Sequence, residues 1–494
     1  MAEVRLVDCS MRDGNQSIWG ATGLRTGQIL QIAPVVNRVG FHAVDFSAST
    51  HMGVAVRYYR EDPWERIRLA RAAMPNTPLQ FIGTGLRFIS WESQDADFMR
   101  LVYRRLVANG ISRFVVLEPM LDRADLLETA RIIRAEGGTE IIAALTYTIS
   151  AVHDDAFYAD LAGAIADSPD IDRAYIKDPA GLLTPERVTT LIPAVRARLG
   201  GKPLELHSHC TIGVAPLTYV TAANIGIDGL HVAVGPVANG SSLPSAQRVA
   251  ANLREFGHSV AIDDGALAHM SGYFDRLAAA EGLPVARPQE YDASFLRHQV
   301  AGGVMSTTRR QLEELNLGDR FGAVMEEVDR VRAELGYPIM VTPFPQIVCT
   351  QALYNVIDSE RYATVPDQVI RYVLGRFGRP IAPVDPEVVA RILSTRRAKE
   401  LMAEPPAPSL AELRKRFPAS ISDDEFLLRA TMPGEQVDAM RAAGRAAVTY
   451  NPELRPVLRL LREIVSRPHL TGLTVEGAGF RLEMRGRAPD DATR

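Results

Sequence analysis

Lysine is nearly missing from this chain. Of 55 basic residues in 494, only Lys177, Lys202, Lys399 and Lys415 are lysine. Arginine stays charged in proteins, whereas lysine can become a neutral nucleophile, so each remaining lysine raises the question of why arginine does not stand there. Cysteine is scarce too. Cys9, Cys210 and Cys349 are far apart and odd in number, which excludes a disulfide framework or zinc knuckle and reads as reduced cytoplasmic thiols. No window approaches the roughly 18 consecutive apolar residues of a membrane helix. The opening MAEVRLVDCSMRDG lacks a signal-peptide pattern, so a cytoplasmic location is expected. A strong charge field is absent as well: the net charge is −4, which argues against nucleic-acid binding. The remaining composition, 47% hydrophobic and 23% charged, is that of a soluble globular protein whose length calls for two or three domains.

The first 260 residues alternate between short β-branched runs and amphipathic helical stretches. The runs are 4–10, 43–49, 78–83, 112–119, 139–148, 172–179, 203–210 and 229–236. Between them lie segments such as EDPWERIRLARAAM (61–74), ADFMRLVYRRLVANG (96–110) and TPERVTTLIPAVRARLG (184–200). Continuous apolar strands, each followed by a helix, suit a parallel sheet buried on both faces. Eight such units over about 250 residues predict a closed (β/α)8 TIM barrel. An open doubly wound sheet would show a glycine fingerprint after an early strand, and none is present. Past residue 260 the strand rhythm stops. The spacing predicts a barrel domain over 1–290 and a mostly helical domain over 291–446, with AEPPAPS (403–409) as a hinge. A small segment over 447–494 reads as one helix and two strands.

Reactive groups of TIM barrels sit at the C-terminal ends of strands. Strand 1 ends in Asp13 within SMRDGNQS, strand 6 in Lys177 within YIKDPAG, and strand 7 in His207 and His209 within LHSHC; strand 8 leads into Asn239-Gly240-Ser241. Residues two apart on a strand share a face, so the two histidines point together. Two neutral imidazoles and a carboxylate suit Zn2+, Mn2+ or Co2+; the plainer alternative is a pair of structural histidines. Beside a dication the Lys177 ammonium is disfavoured, and a neutral amine there can take up CO2 as an anionic carbamate. The alternative is a salt bridge to Asp178. Arg12 and Gln16 flank Asp13, one to brace the carboxylate and the other to donate to a substrate oxygen, or both as ordinary loop residues. Ser241 reads either as a proton relay or as a turn former.

These motifs, with NGSSLPS, FLRHQVAGGVMSTTRRQLEELNL, ELGYPIMVTPFPQIVCTQALYNVI and LGRFGRPIAPVDPEV, resemble the carboxyltransferase domain of oxaloacetate decarboxylase α subunits, pyruvate carboxylase and transcarboxylase over about 1–446. The resemblance implies a metal held by Asp13, His207, His209 and a carbamylated Lys177, with the family's proton-relay threonine replaced by Ser241. It implies biotin on a separate carrier protein, a biotin carboxylase partner, a small-molecule acceptor and a homodimer. Three substrate-pocket positions depart from the family. Thr84 stands where members grip pyruvate with an arginine, Gly53 replaces an aspartate, and Ser47 replaces a tryptophan; Cys210 also replaces an aspartate after the second histidine. Arg87, three residues beyond Thr84, is a candidate replacement cation. The expected function is a biotin-dependent carboxyltransferase whose acceptor is a 2-oxo acid, ketone or acyl group other than pyruvate. The alternatives are a biotin-independent, metal-dependent aldolase, acyl-CoA lyase or synthase on the same barrel, or a non-catalytic assembly subunit. The closing segment resembles part of biotin carrier proteins and is a candidate for docking a partner.

Overall fold

A computed structural model of the chain describes residues 3–451 apart from 90–92, 301, 315 and 406, and beyond them 460–461, 463–464, 466, 472–477 and 480–485. Eight parallel strands close into the expected barrel: β1 (Arg5–Asp8), β2 (Ala43–Ala48), β3 (Leu79–Gly83), β4 (Arg113–Val116), β5 (Glu140–Thr146), β6 (Arg173–Asp178), β7 (Leu204–Ser208) and β8 (Gly229–Val232), which pairs back to β1. The sequence places helix starts where the loops need them. Asp62, Asp95, Asp122, Asp154 and Thr184 each accept a hydrogen bond from a first-turn backbone amide of the following helix. Each such cap contributes about 1 kcal/mol and sets where the chain turns back around the barrel.

The barrel interior is divided in two. Ile82, Val115, Leu117, Ile142 and Ala144 pack with Tyr175 into an apolar half on the β3–β6 side. The other half is polar. Alternation along β6 sets Arg173, Tyr175 and Lys177 in one column, and the register places Tyr175 beside Glu205 and Lys177 beside His207. Arg113 on β4 reaches across to Glu205 at 2.6 and 2.8 Å and to Glu140 at 2.6 Å, so a buried ion pair spans the floor beneath the site.

After the barrel, Gly302–Glu314, Phe321–Glu334, Phe344–Ile357 and Asp367–Val373 form a helical layer with its own apolar cluster, including Val324, Val328, Val348 and Ile370. It is tied to loops at the C-terminal ends of the strands. Arg332 donates to the Ile149 carbonyl at 2.7 Å and to Thr148 Oγ1 at 2.8 Å, and Arg379 meets Asp122 at 3.0 Å. The later helices Leu410–Arg414, Asp423–Thr431 and Gly434–Ala443 bury Leu413, Phe426, Leu427 and Val437 in the barrel's own core cluster. Trp64 Nε1 donates to the Asp424 carbonyl at 3.0 Å. The chain thus returns to the barrel wall after residue 409. The two closing strands form an antiparallel hairpin, β9 (Gly472–Gly477) and β10 (Phe480–Arg485); the helix read at 452–465 lies mostly outside the described residues. Among the described residues, no helix is long and apolar enough to cross a membrane.

Candidate active site and metal centre

Directly after β1 the chain makes one turn of π-helix, Ser10–Gly14, which carries Arg12 and Asp13 over the barrel mouth. Such turns occur preferentially at functional sites. Gly14 permits the close approach of the β8 loop, because a Cβ there would lie 3.0 Å from the Val237 carbonyl oxygen. Arg12 Nε donates to Asp45 Oδ2 at 2.7 Å, and its NH2 lies 2.5 Å from that oxygen and 2.9 Å from Asp13 Oδ2. Burial alone would raise the Asp13 pKa. The Arg12 guanidinium and then Lys177 outweigh it, holding the carboxyl well below the usual carboxylate range.

Asp13, Lys177, His207 and His209 converge. Asp13 Oδ2 lies 3.1 Å from His207 Nε2, Asp13 Oδ1 lies 3.5 Å from His209 Nε2, and the two Nε2 atoms are 3.1 Å apart. Lys177 Nζ is 3.4 Å from Asp13 Oδ2 and 3.2 Å from His207 Nε2. His209 faces the Ser241 carbonyl with Nδ1 at 2.7 Å. A carbonyl only accepts, so Nδ1 carries the proton and Nε2 keeps its lone pair toward the cluster. Burial, then the nearby Lys177, pushes His207 well below the ordinary histidine range, so it is a neutral imidazole. Burial likewise lowers the Lys177 pKa, with Asp13 opposing.

This donor set fits a divalent metal. The Asp13, His207 and His209 ligand atoms all lie within 4.8 Å of one another and are buried, and an anionic oxygen with two neutral nitrogens is a borderline-metal set. Lys177 does not pair with Asp178. That carboxylate instead accepts from the Leu182 and Leu183 amides at 2.9 and 2.8 Å and from Ser208 Oγ at 2.7 Å. The loop it braces passes tightly under His209: at Gly181, φ is +69° and a Cβ would meet the His209 carbonyl oxygen at 2.6 Å.

Above the cluster opens a cavity of about 550 Å3. Arg12, Asp13, Gln16, Thr84, Lys177, His209 and Ser241 line it. Ser47, Gly53 and Arg87 do not appear among its described lining residues. Arg87 is directed to the Phe377 carbonyl at 2.6 Å, with Glu118 at 3.5 Å. Cys210 is buried, and burial pushes its thiol up to about 12. Ser241 Oγ donates to the Ser17 carbonyl at 3.1 Å, and Ser17 Oγ donates to Asp13 Oδ1 at 3.1 Å.

Sequence reasoning missed the part of this wall that comes from the helical layer. Val304, Thr308 and Gln311 from one helix, with Met340, Gln346 and Thr350, close the cavity from the helical layer. Two signals were available: all six lie in stretches that resemble the carboxyltransferase family, and residues 304, 308 and 311 share one helical face.

The comparisons with known proteins bear on family and fold. The conserved carboxylase domain family matches residues 295–459. The pyruvate carboxylase B subunit of Methanocaldococcus jannaschii is 35% identical over 393 residues, covering 79% of this chain and 68% of that one. The chain belongs to the family of biotin-dependent carboxyltransferase subunits. The 2-oxoglutarate carboxylase large subunit of Hydrogenobacter thermophilus is 30% identical over 98% of this chain and 76% of its own length. The carboxyl transferase domain of Rhizobium etli pyruvate carboxylase, solved with oxamate and biotin, has the same fold. It superposes with a TM-score of 0.78 over 89% of this chain and 78% of its own, at 23% identity. Family and fold are therefore those implied by the sequence motifs.

Proposed function

We propose that this chain is the carboxyltransferase subunit of a carboxylase or decarboxylase that moves CO2 between carboxybiotin, held on a separate carrier, and an enolisable acceptor other than pyruvate. The observation that carries this reading is the convergence of Asp13, Lys177, His207 and His209 beneath a cavity of about 550 Å3 at the barrel mouth.

Asp13, His207 and His209 would hold Zn2+, Mn2+ or Co2+. Lys177 completes the set as a carbamate: its neutral amine attacks CO2, an N–C bond forms, and one proton leaves. Arginine cannot do this. The bound metal supplies Lewis-acid stabilisation for negative charge developing on the acceptor's carbonyl oxygen. Arg12 braces Asp13 against Asp45 and keeps the carboxylate aimed inward. Gln16 donates its side-chain amide to an acceptor oxygen. In the carboxylation direction the biotin N–C bond breaks and frees CO2, leaving the electron pair on nitrogen. The Ser241 hydroxyl passes a proton from the acceptor α-carbon to that nitrogen. The carbanion then forms the new C–C bond with CO2. Decarboxylation reverses each step.

The acceptor assignment rests on charge. The described cavity wall offers Arg12 as a cation, already facing Asp13, while Lys177 is taken up as the carbamate. Thr84 adds no charge, and Thr308, Gln311, Gln346 and Thr350 offer neutral polar contacts. Such a wall suits a larger acceptor held by hydrogen bonds.

Biotin attachment needs a lysine set between two methionines, and none of the four lysines has that setting. We infer that the biotin is carried outside these residues, on a separate carrier protein, and that a biotin carboxylase and a second copy of this subunit complete the assembly. The segment 447–494 is the candidate docking piece. The test is turnover by the purified chain with biotin carboxylase, biotinylated carrier, ATP and bicarbonate. Acceptor consumption only when all are present is expected. Acyl-CoA-dependent condensation without biotin would establish the aldolase reading instead, and biotin on this chain itself in a streptavidin blot would exclude the separate carrier.

A further inference from the structure

Beneath the metal centre lies a hydrogen-bonded column that the chemistry above does not use: Arg113 on β4, Glu205 on β7, His231 on β8 and then His207. All four side chains are 0–1% exposed. Arg113 NH2 donates to both Glu205 oxygens at 2.6 and 2.8 Å. His231 Nε2 lies 3.0 Å from Glu205 Oε2, and His231 Nδ1 lies 3.1 Å from His207 Nδ1. Tyr175 stacks flat on the His231 ring, with centroids 5.1 Å apart and planes 8° apart, which fixes the ring's orientation.

The proton positions follow by elimination. A carboxylate clamped by arginine only accepts, so His231 carries its proton on Nε2. Its Nδ1 is then an acceptor. With no metal between them, two ring nitrogens 3.1 Å apart cannot both present lone pairs, so His207 donates from Nδ1; the Nε2 atoms of His207 and His209, also 3.1 Å apart, both keep theirs because they are the pair that would hold the metal. That leaves the His207 lone pair on Nε2, the atom facing Asp13 and His209. The column also reaches across the barrel, so the ion pair at its floor sets the tautomer at its mouth.

We propose that His231 is a positioning residue that, held by Glu205 and Arg113, locks His207 in the Nδ1–H tautomer required for ligation through Nε2. This rests on the metal reading above. Carboxylate–histidine partners of this kind orient metal ligands and raise their basicity, and losing one weakens metal binding or activity about 10- to 100-fold.

The test compares His231→Asn with His231→Gln in the full chain. An asparagine oxygen can stand near the lost Nδ1 and accept from His207. A glutamine reaches toward Glu205 and leaves His207 without its acceptor. Zn2+ affinity is read by chelator competition and the metal-free melting temperature by circular dichroism. We expect His231→Gln to lose about 10- to 100-fold in Zn2+ affinity, with His231→Asn recovering most of it, at similar metal-free melting temperatures. Wild-type affinity in His231→Gln would overturn the relay alone, as would equal losses in both variants that track falling melting temperatures. Two Zn2+ per chain would overturn it too, since Cys9, His207 and His231 also bring donor atoms together and a metal would then replace the shared proton. A wild-type chain that binds no metal would overturn the metal reading along with it. A second measurement avoids variants: long-range 1H–15N spectra of histidine-labelled wild-type protein should show His207 protonated at Nδ1, and protonation at Nε2 would refute the proposal.

Discussion

The Arg87 guanidinium donates to the carbonyl of Phe377, 290 residues further along the chain, at 2.6 Å. The cation nearest in sequence to Thr84 is thereby spent on joining the barrel to the helical layer, with Glu118 on its other side. It does not supply the carboxylate grip that Thr84 lacks.

Thr84→Arg should therefore restore that grip. A charge-assisted contact contributes about 1.5–3 kcal/mol, which is roughly tenfold to a hundredfold in binding. We expect kcat/KM for pyruvate to rise by that factor while the natural, larger acceptor loses ground. Steady-state kinetics over acceptors of increasing size checks this. Wild-type enzyme that already turns over pyruvate or oxaloacetate best of the panel would contradict it.

Lys177→Arg should fold normally yet lose bound metal and at least about a hundredfold in kcat/KM, equivalent to about 2.7 kcal/mol of transition-state stabilisation. Metal analysis of the purified variant, with turnover measured alongside, decides the matter. Stoichiometric metal and full activity would rule out the carbamate.

Arg12→Met tests the brace. It removes the cation between Asp13 and Asp45, both buried. Leaving buried carboxylates without their partner costs about 3–5 kcal/mol. Urea unfolding of metal-free protein at neutral pH should show a loss of that size, shrinking at low pH once Asp13 is protonated. The sign follows from Asp13: its lowered pKa in the folded state gives stability present above the unfolded value and lost as pH falls below it.

Much of the site was legible because it lies on regular elements. His207 and His209 share a face by strand parity, and Lys177 falls beside His207 by parallel register. Asp13 could be placed because a TIM barrel presents its strand ends on one side. The Arg113–Glu205–His231 column was not legible, since β4 and β7 face each other only after the barrel closes. Nor was the direction of Arg87, which is set by Glu118 and by a carbonyl far away in sequence. The cavity wall from Thr308, Gln346 and Thr350 depends on how the helical layer docks, and local periodicity does not encode that. The helices over 410–443 turned back to the barrel because Phe426 and Leu427 fit its core cluster, a tertiary preference that the proline-rich hinge concealed.

Glu118 should make stability fall with pH. Burial pushes its carboxyl up to about 7, against the opposing Arg87. An unfolded glutamate titrates near 4.3. Between these values the folded state holds the extra proton, so stability declines as pH rises through the window and levels off above it. Asp8, also raised to about 7 by burial, contributes with the same sign. Glu118→Gln should remove its share, about 2–4 kcal/mol between pH 5 and pH 8. Urea unfolding of the metal-free protein at several pH values measures this. Parallel curves for wild type and variant would contradict it.

Carboxyl transfer is proposed to take place at the centre formed by Asp13, Lys177, His207 and His209. Its most direct test is a single-turnover experiment in which carrier protein bearing 14C-carboxybiotin is mixed with this chain and acceptor. Label should appear in the acceptor with the metal-loaded chain, be absent after chelation, and return when Zn2+, Mn2+ or Co2+ is restored. Label transfer that persists undiminished in metal-stripped protein, or in His207→Ala, would contradict it.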